Sequence, residues 1–232
     1  MAQTIELADG VYRIATDNYR LNTGLILGLE AALVIDTGAG PRQGTEIYDE
    51  VRRLTRLPIT VVNTHAHYER FFGNDVFVAM GVEDFWAHPR TVRAIEKYGE
   101  SQRPYVETLE PEMAHHQGPA TDIIVPNKLT AHNGEGITFT PVELGERSAT
   151  LIYLGQGHTK GDLLVGVEDV LFAGGLLEQL TGRLDAPRDN VAGALGYLLP
   201  YIVGKLTPGG SLPGSLPAEI ASVASAGQAL LS

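Results

Sequence analysis

Apolar residues recur along this chain in two different rhythms. Over residues 4–14 and 23–35, runs rich in Val, Ile, Leu and Tyr are separated by the turn residues Asp9-Gly10 and Asp17-Asn18, which predicts strands that begin a first sheet. Between 43 and 54 the period lengthens. Ile47, Val51 and Leu54 stand four and three residues apart among charges, so an amphipathic helix is expected with one face on the sheet. A buried strand follows at 58–63, then a helix at 74–80, a short strand at 84–87 and a helix from 91 to 98. Strands at 137–142, 148–154, 163–167 and 170–172, punctuated by Gly134, Gly136, Gly145 and Gly155, predict a second sheet, and helices are expected at 190–203 and 217–231.

Composition narrows what such a chain does. With 232 residues and 44% hydrophobic residues it can bury one large core, and the order of its motifs favours a single domain over 1–232, with halves at about 1–130 and 131–232. A net charge of −11 disfavours nucleic acid, whose phosphates require a basic stripe. No cysteine is present, so neither a disulfide framework nor a thiolate metal ligand is available. The start of the chain lacks a basic region followed by an apolar core, and no run is long enough to span a bilayer. The expectation is a soluble, cytoplasmic protein acting on a small molecule, with no nucleic-acid or membrane partner.

The chemistry concentrates where the strand at 58–63 runs into Asn63-Thr64-His65-Ala66-His67-Tyr68-Glu69-Arg70. In extended chain, residues i and i+2 point the same way, so His65 and His67 can converge on one ion. A third histidine sits in Gly157-His158-Thr159-Lys160-Gly161-Asp162.

Taken in order, Thr64 to Asn74, Gly157 to Asp162, Phe172-Ala173-Gly174-Gly175 and Pro208-Gly209-Gly210-Ser211 resemble the motif series of the metallo-β-lactamase superfamily. That resemblance implies an α/β fold of the αββα type, a four-layer sandwich of two mixed sheets flanked by helices. It also implies a two-metal site, and here the departures carry the information. The set of three histidines survives as His65, His67 and His158. In the other set the Asp has become Glu69, the first His has become Arg70, the bridging Asp has become Gly175, and the last His has become Gly210. Arginine has no lone pair to give and glycine has no side chain, so one metal ion is expected rather than two.

Three neutral imidazoles with one open position suit zinc, although iron(II) accepts the same ligands. Such a site brings the pKa of a bound water to about 7 and supplies hydroxide near neutral pH. Glu69 stands where it can serve as general base, as a metal ligand, or as an ion-pair partner of Arg70. Arg70 either offers its planar fork to a substrate carboxylate or oxyanion, standing in for the lost cation, or turns outward to solvent. Asp36, in Asp36-Thr37-Gly38 at the end of a strand, either orients a ligand histidine or closes a turn. His88 is expected to pack or cap a helix. The segment 100–126 is expected to form a substrate lid, and His115 and His116 within it are exposed or replace a lost ligand. The function expected is a mononuclear zinc hydrolase of a small ester, lactone, thioester or amide. A lyase or cyclase on the same scaffold and a metal-binding pseudoenzyme are the alternatives.

Overall fold

The computed structural model describes residues 2–134, 136–168 and 170–173. Among the described residues seven strands make the first sheet in sequence order: β1 (Gln3–Ala8), β2 (Val11–Ala15), β3 (Asn22–Leu27), β4 (Ala32–Ile35), β5 (Ile59–Val62), β6 (Phe85–Ala87) and β7 (Lys128–Leu129). The first four pair antiparallel and β4 to β7 pair parallel. Each of the two runs forms a hairpin, the first at the expected Asp9-Gly10 turn. Gly10, at φ +67°, turns the first, and a tight turn closed by Gly28 N–H donating to Ala31 O at 2.9 Å divides the second. The two-residue β7 has no counterpart in the hydrophobic pattern.

Parallel pairing of β4 and β5 requires a crossover, and α1 (Pro41–Leu54) provides it. Pro41 opens the helix, and the buried carboxylate of Glu110 accepts the backbone N–H groups of Arg42 and Gln43 at 2.9 and 2.8 Å. These are donors that a helix start leaves without partners. Alternation in the strands decides what α1 meets. Ala32 and Val34 of β4 face Ile47 and Val51 of α1 and Val76 and Phe77 of α3 (Asn74–Ala79), beyond the short α2 (Tyr68–Phe71). Leu33 and Ile35 face the opposite way. Complete burial of each such side chain is worth about 1.5–3 kcal/mol.

The second sheet consists of β8 (Thr138–Glu143), β9 (Ser148–Tyr153), β10 (Leu164–Val167) and β11 (Val170–Ala173), all antiparallel in the order β11-β10-β9-β8. Leu151, Tyr153, Val165 and Val167 pack on Leu33, Ile35 and Val62, so the main core lies between the sheets. Helix, sheet and sheet are thus three layers among the described residues. The helices expected at 190–203 and 217–231 lie outside them. Between β6 and β7 the chain forms α4 (Pro89–Tyr98), a 3-10 segment (Glu100–Val106) and α5 (Pro111–Ala114). Among the described residues no helix is long and apolar enough to cross a membrane.

The junction of α1 with α3 leaves no room for a methyl group. A Cβ on Gly73 would collide with the Thr37 carbonyl oxygen and approach Gly44 Cα to 3.2 Å. Gly73→Ala should therefore destabilise the fold by about 3 kcal/mol or more in urea unfolding. Gly118→Ala, at φ +86° with nothing within 4 Å, should cost only about 1–2 kcal/mol of backbone strain. Equal losses would show that close packing at Gly73 is not what matters.

Candidate metal centre

The three histidines come together because two loops end at the same edge of the two sheets. β5 delivers His65 directly, and His67 remains extended (φ −102°, ψ 142°) before α2 begins, which places residues 65 and 67 on one side. His158 lies in the loop between β9 and β10. Asp162 shapes this loop by accepting Thr159 N–H at 2.6 Å and the Thr159 hydroxyl at 2.8 Å. One backbone hydrogen bond, from Leu163 N–H to Thr64 O at 2.9 Å, ties this loop to the strand that carries His65. The Thr91 hydroxyl donates to Gly161 O at 2.8 Å, and a Cβ at Gly161 would lie 2.7 Å from Thr91 N, so only glycine permits this approach.

One ring nitrogen from each of His65, His67 and His158 lies within 4.8 Å of the other two, and His158 Nε2 and His67 Nδ1 are 3.2 Å apart. The rings stand nearly perpendicular, at 77°, 89° and 87°. Two nitrogens each about 2.05 Å from a tetrahedral ion are separated by roughly 3.3 Å, a spacing that the His67–His158 pair already has, and three such donors on a divalent metal leave a fourth position. Among the described residues these three form the group able to hold a metal, and Glu69 is outside it.

Protonation suits the same purpose. Burial pushes the His65 pKa well below its ordinary value, and Arg70, His67 and His158 push it the same way. His67 is also lowered, chiefly by burial. Both therefore keep a lone pair at neutral pH. The Thr64 hydroxyl donates to Asp36 Oδ2 at 2.8 Å, so in its 3.2 Å contact with His65 Nδ1 it acts as acceptor. That assigns the ring proton to Nδ1 and leaves Nε2 for the metal.

Asp36 carries more contacts than either expectation allowed. It is almost fully buried at φ +66°, accepts Thr64 N–H at 2.8 Å and the Thr64 hydroxyl, and receives Arg70 Nη1 at 3.3 Å. Burial pushes its pKa up to about 6, against the opposing pull of Arg70 and Thr64. It reaches His65 through Thr64 and not by direct contact. Arg70 turns inward, with its side chain 20% exposed, Nη1 on Asp36 and Nε 3.5 Å from Glu69 Oε1. Nε is buried without a hydrogen bond, and among the described residues Nη2 makes none. The outward orientation of Arg70 is thereby excluded. For Glu69, ion pairing with Arg70 is the contact present.

Two supports of the site gave little or no signal in the sequence. Gln102 reaches the histidine loop from the 3-10 segment, donating Nε2–H to Ala66 O at 3.0 Å and accepting Tyr68 N–H at 2.9 Å. It thus clamps the backbone on both sides of His67. Its own neighbours carry no pattern that announces this. Asn74, which lies in the quoted motif, exchanges side-chain hydrogen bonds with Asn63 at 2.8 and 3.1 Å and accepts from the Thr37 hydroxyl at 2.7 Å. Asn63 Nδ2 and Thr37 N–H both hold Arg70 O at 2.9 Å. The segment 100–126 is anchored by Arg103, whose Nη1 donates to Met113 O and Thr121 O at 2.8 and 3.0 Å. His88 caps α4 through Nδ1 and stacks on Tyr153 at 4.0 Å. His115 and His116 are exposed and pair with Glu107 and Asp122, each at 2.8 Å, so neither joins the site. Positions 175 and 210 lie outside the described residues.

Comparison with known proteins agrees with this architecture. The family model of the metallo-beta-lactamase superfamily matches residues 19–222. Similar solved structures include a metallo-beta-lactamase from Pontibacter korlensis, with 17% identity, a TM-score of 0.54 and coverage of 75% of this chain and 71% of that one. A metallo-beta-lactamase from Hirschia baltica gives 21% identity and a TM-score of 0.54, covering 75% and 70%. One from Erythrobacter litoralis, solved with beta mercaptoethanol in its active site, gives 18% and 0.52, covering 72% and 67%. No curated protein sequence matches.

Thr64→Val keeps the branched shape but removes the hydroxyl between Asp36 and His65. Zinc affinity, read by chelator competition, should fall about 10–100-fold, and Thr64→Ser should recover most of it. Unchanged affinity in the valine variant would refute the orienting role.

Proposed function

Because this chain belongs to the metallo-beta-lactamase superfamily, we propose that it is a mononuclear metal-dependent hydrolase, with one zinc ion on His65, His67 and His158, acting on a small ester, lactone, thioester or amide. The observation that carries the single-ion reading is the Arg70 guanidinium, pinned by buried Asp36 beside three converging imidazoles. Arginine offers no lone pair, so Glu69 is the one donor remaining at positions 69 and 70 for a second ion.

A zinc ion bound there would supply Lewis acidity and lower the pKa of a bound water to about 7. The residues of the chain divide the remaining work. The histidines hold the ion in neutral form, with His65 aligned by Thr64 and His67 steadied by Gln102. Arg70 presents Nη2 to the negative charge that develops on the substrate carbonyl oxygen, while Asp36 keeps the guanidinium from swinging away. Glu69, partly buried beside Arg70, accepts the proton of the attacking water. The anchored segment 100–126 walls the entrance beside the histidine loop.

Metal analysis of the purified protein should give one equivalent of zinc per chain, lost in His65→Ala and in His158→Ala. Two equivalents, or none after zinc loading, would refute the reading. A phenyl ester, a lactone and a thioester turned over in heavy-oxygen water should yield labelled acid, whereas a lyase or cyclase would leave the label in solvent. Arg70→Ala should keep its zinc and lose about 10²–10³-fold in kcat. Retained turnover in that variant would remove Arg70 from the mechanism.

A further inference from the structure

His158 is the exposed member of the histidine trio, and it forms part of the wall of a cleft of about 740 Å³. That volume is within the range of about 300–1,000 Å³ usual for small-molecule sites. Its lining is unlike the rest of this acidic chain. Arg90, Arg93 and Lys97 contribute from α4, Lys160 contributes from the His158 loop, and none of the described residues lining the cleft is acidic. A chain with a net charge of −11 has thus placed four cations around one hollow.

The arrangement does not serve the helix. Positions 90, 93 and 97 are three and four residues apart and share one face of α4, where like charges at these spacings weaken a helix by a few tenths of a kcal/mol per pair. Arg90 is committed structurally, donating to the Tyr153 hydroxyl at 2.8 Å and Gly134 O at 3.3 Å. The others are not. Arg93, Lys97 and Lys160 are exposed, and among the described residues none of them has a carboxylate partner. Lys97 instead lies over the Tyr98 ring at 5.0 Å. Three cations with no carboxylate partner among the described residues, two on α4 and one on the His158 loop, are disposed to hold an oxyanion, and the Thr159-Lys160-Gly161 loop brings that position next to His158.

We propose that this cleft binds an anionic group of the substrate, a phosphate or clustered carboxylates, through Arg93, Lys97 and Lys160, and so presents the rest of the substrate to the histidine centre. This deepens the hydrolase reading and rests on it only for what happens next to His158. The substrate class is then an anionic ester, thioester, lactone or amide.

Calorimetric titration of the zinc-loaded protein at low ionic strength, with inorganic pyrophosphate and with tricarballylate, tests the assignment. At least one probe should bind, and the tighter of the two identifies the anion as phosphate or carboxylate. Affinity should fall at least tenfold in Lys97→Gln/Lys160→Gln and further when Arg93→Gln is added, and it should weaken steadily with salt. Binding of neither probe, or an affinity that these exposed substitutions leave within a factor of three, would overturn the proposal. A loss between threefold and tenfold counts for it only if Arg93→Gln adds to it, and against it otherwise. The same titration in His158→Ala separates the two readings. Binding that persists without metal shows the cleft acting alone, while failure to bind zinc in the wild type would sink the hydrolase reading and leave the cleft standing.

Discussion

The site depends on Thr64, a residue that binds neither metal nor substrate in this account. Its N–H and hydroxyl are both taken by Asp36, its carbonyl accepts Leu163 N–H, and its hydroxyl oxygen meets His65 Nδ1. One residue thereby joins the end of β4, the end of β5, the loop that carries His158 and the first ligand. Each bond is internal and shielded from water, where a missing partner costs about 1–3 kcal/mol. Two loops separated by about ninety residues of sequence are in this way held in register by backbone and carboxylate contacts, before any ion contributes.

Around that junction the chain uses polar groups as a rigid frame. Asn63 and Thr37 converge on the carbonyl of Arg70, Asn74 holds both of them in place, and together they fix the turn that follows the histidines. Gln102 does the same for the peptide groups flanking His67. Asp36 adopts a left-handed backbone conformation that asparagine and aspartate tolerate better than other side chains, and its burial obliges it to find cationic and N–H partners. Arg70 meets that obligation, which is why it faces inward. The same ion pair that neutralises Asp36 places a fixed positive charge beside the imidazoles.

Much of this was legible in the sequence for local reasons. Strand periodicity showed both sheets, the i, i+2 spacing put His65 and His67 on one side, and the motif around His158 picked out the loop that meets them. The sequence pattern ran out where long-range contacts decide the outcome. The hairpin within 23–35 was not separable from a continuous strand by apolar content alone, and β7 is too short to show a period. Whether Arg70 faced inward depended on Asp36, more than thirty residues earlier. Gln102 and Glu110 come from the segment with the weakest pattern, yet one clamps the histidine loop and the other caps α1. Their roles exist only in three dimensions, as donors and acceptors that happen to meet unpaired backbone groups.

On the proposed reading, three imidazoles from two loops hold a solitary ion while a guanidinium, locked by a buried carboxylate, occupies the neighbouring ground. X-ray absorption at the zinc edge of the loaded protein tests it most directly. The expected spectrum shows about three imidazole nitrogens at roughly 2.0 Å and no metal–metal scattering. A second metal atom at about 3.5–4 Å, or fewer than three imidazoles on the ion, would contradict it.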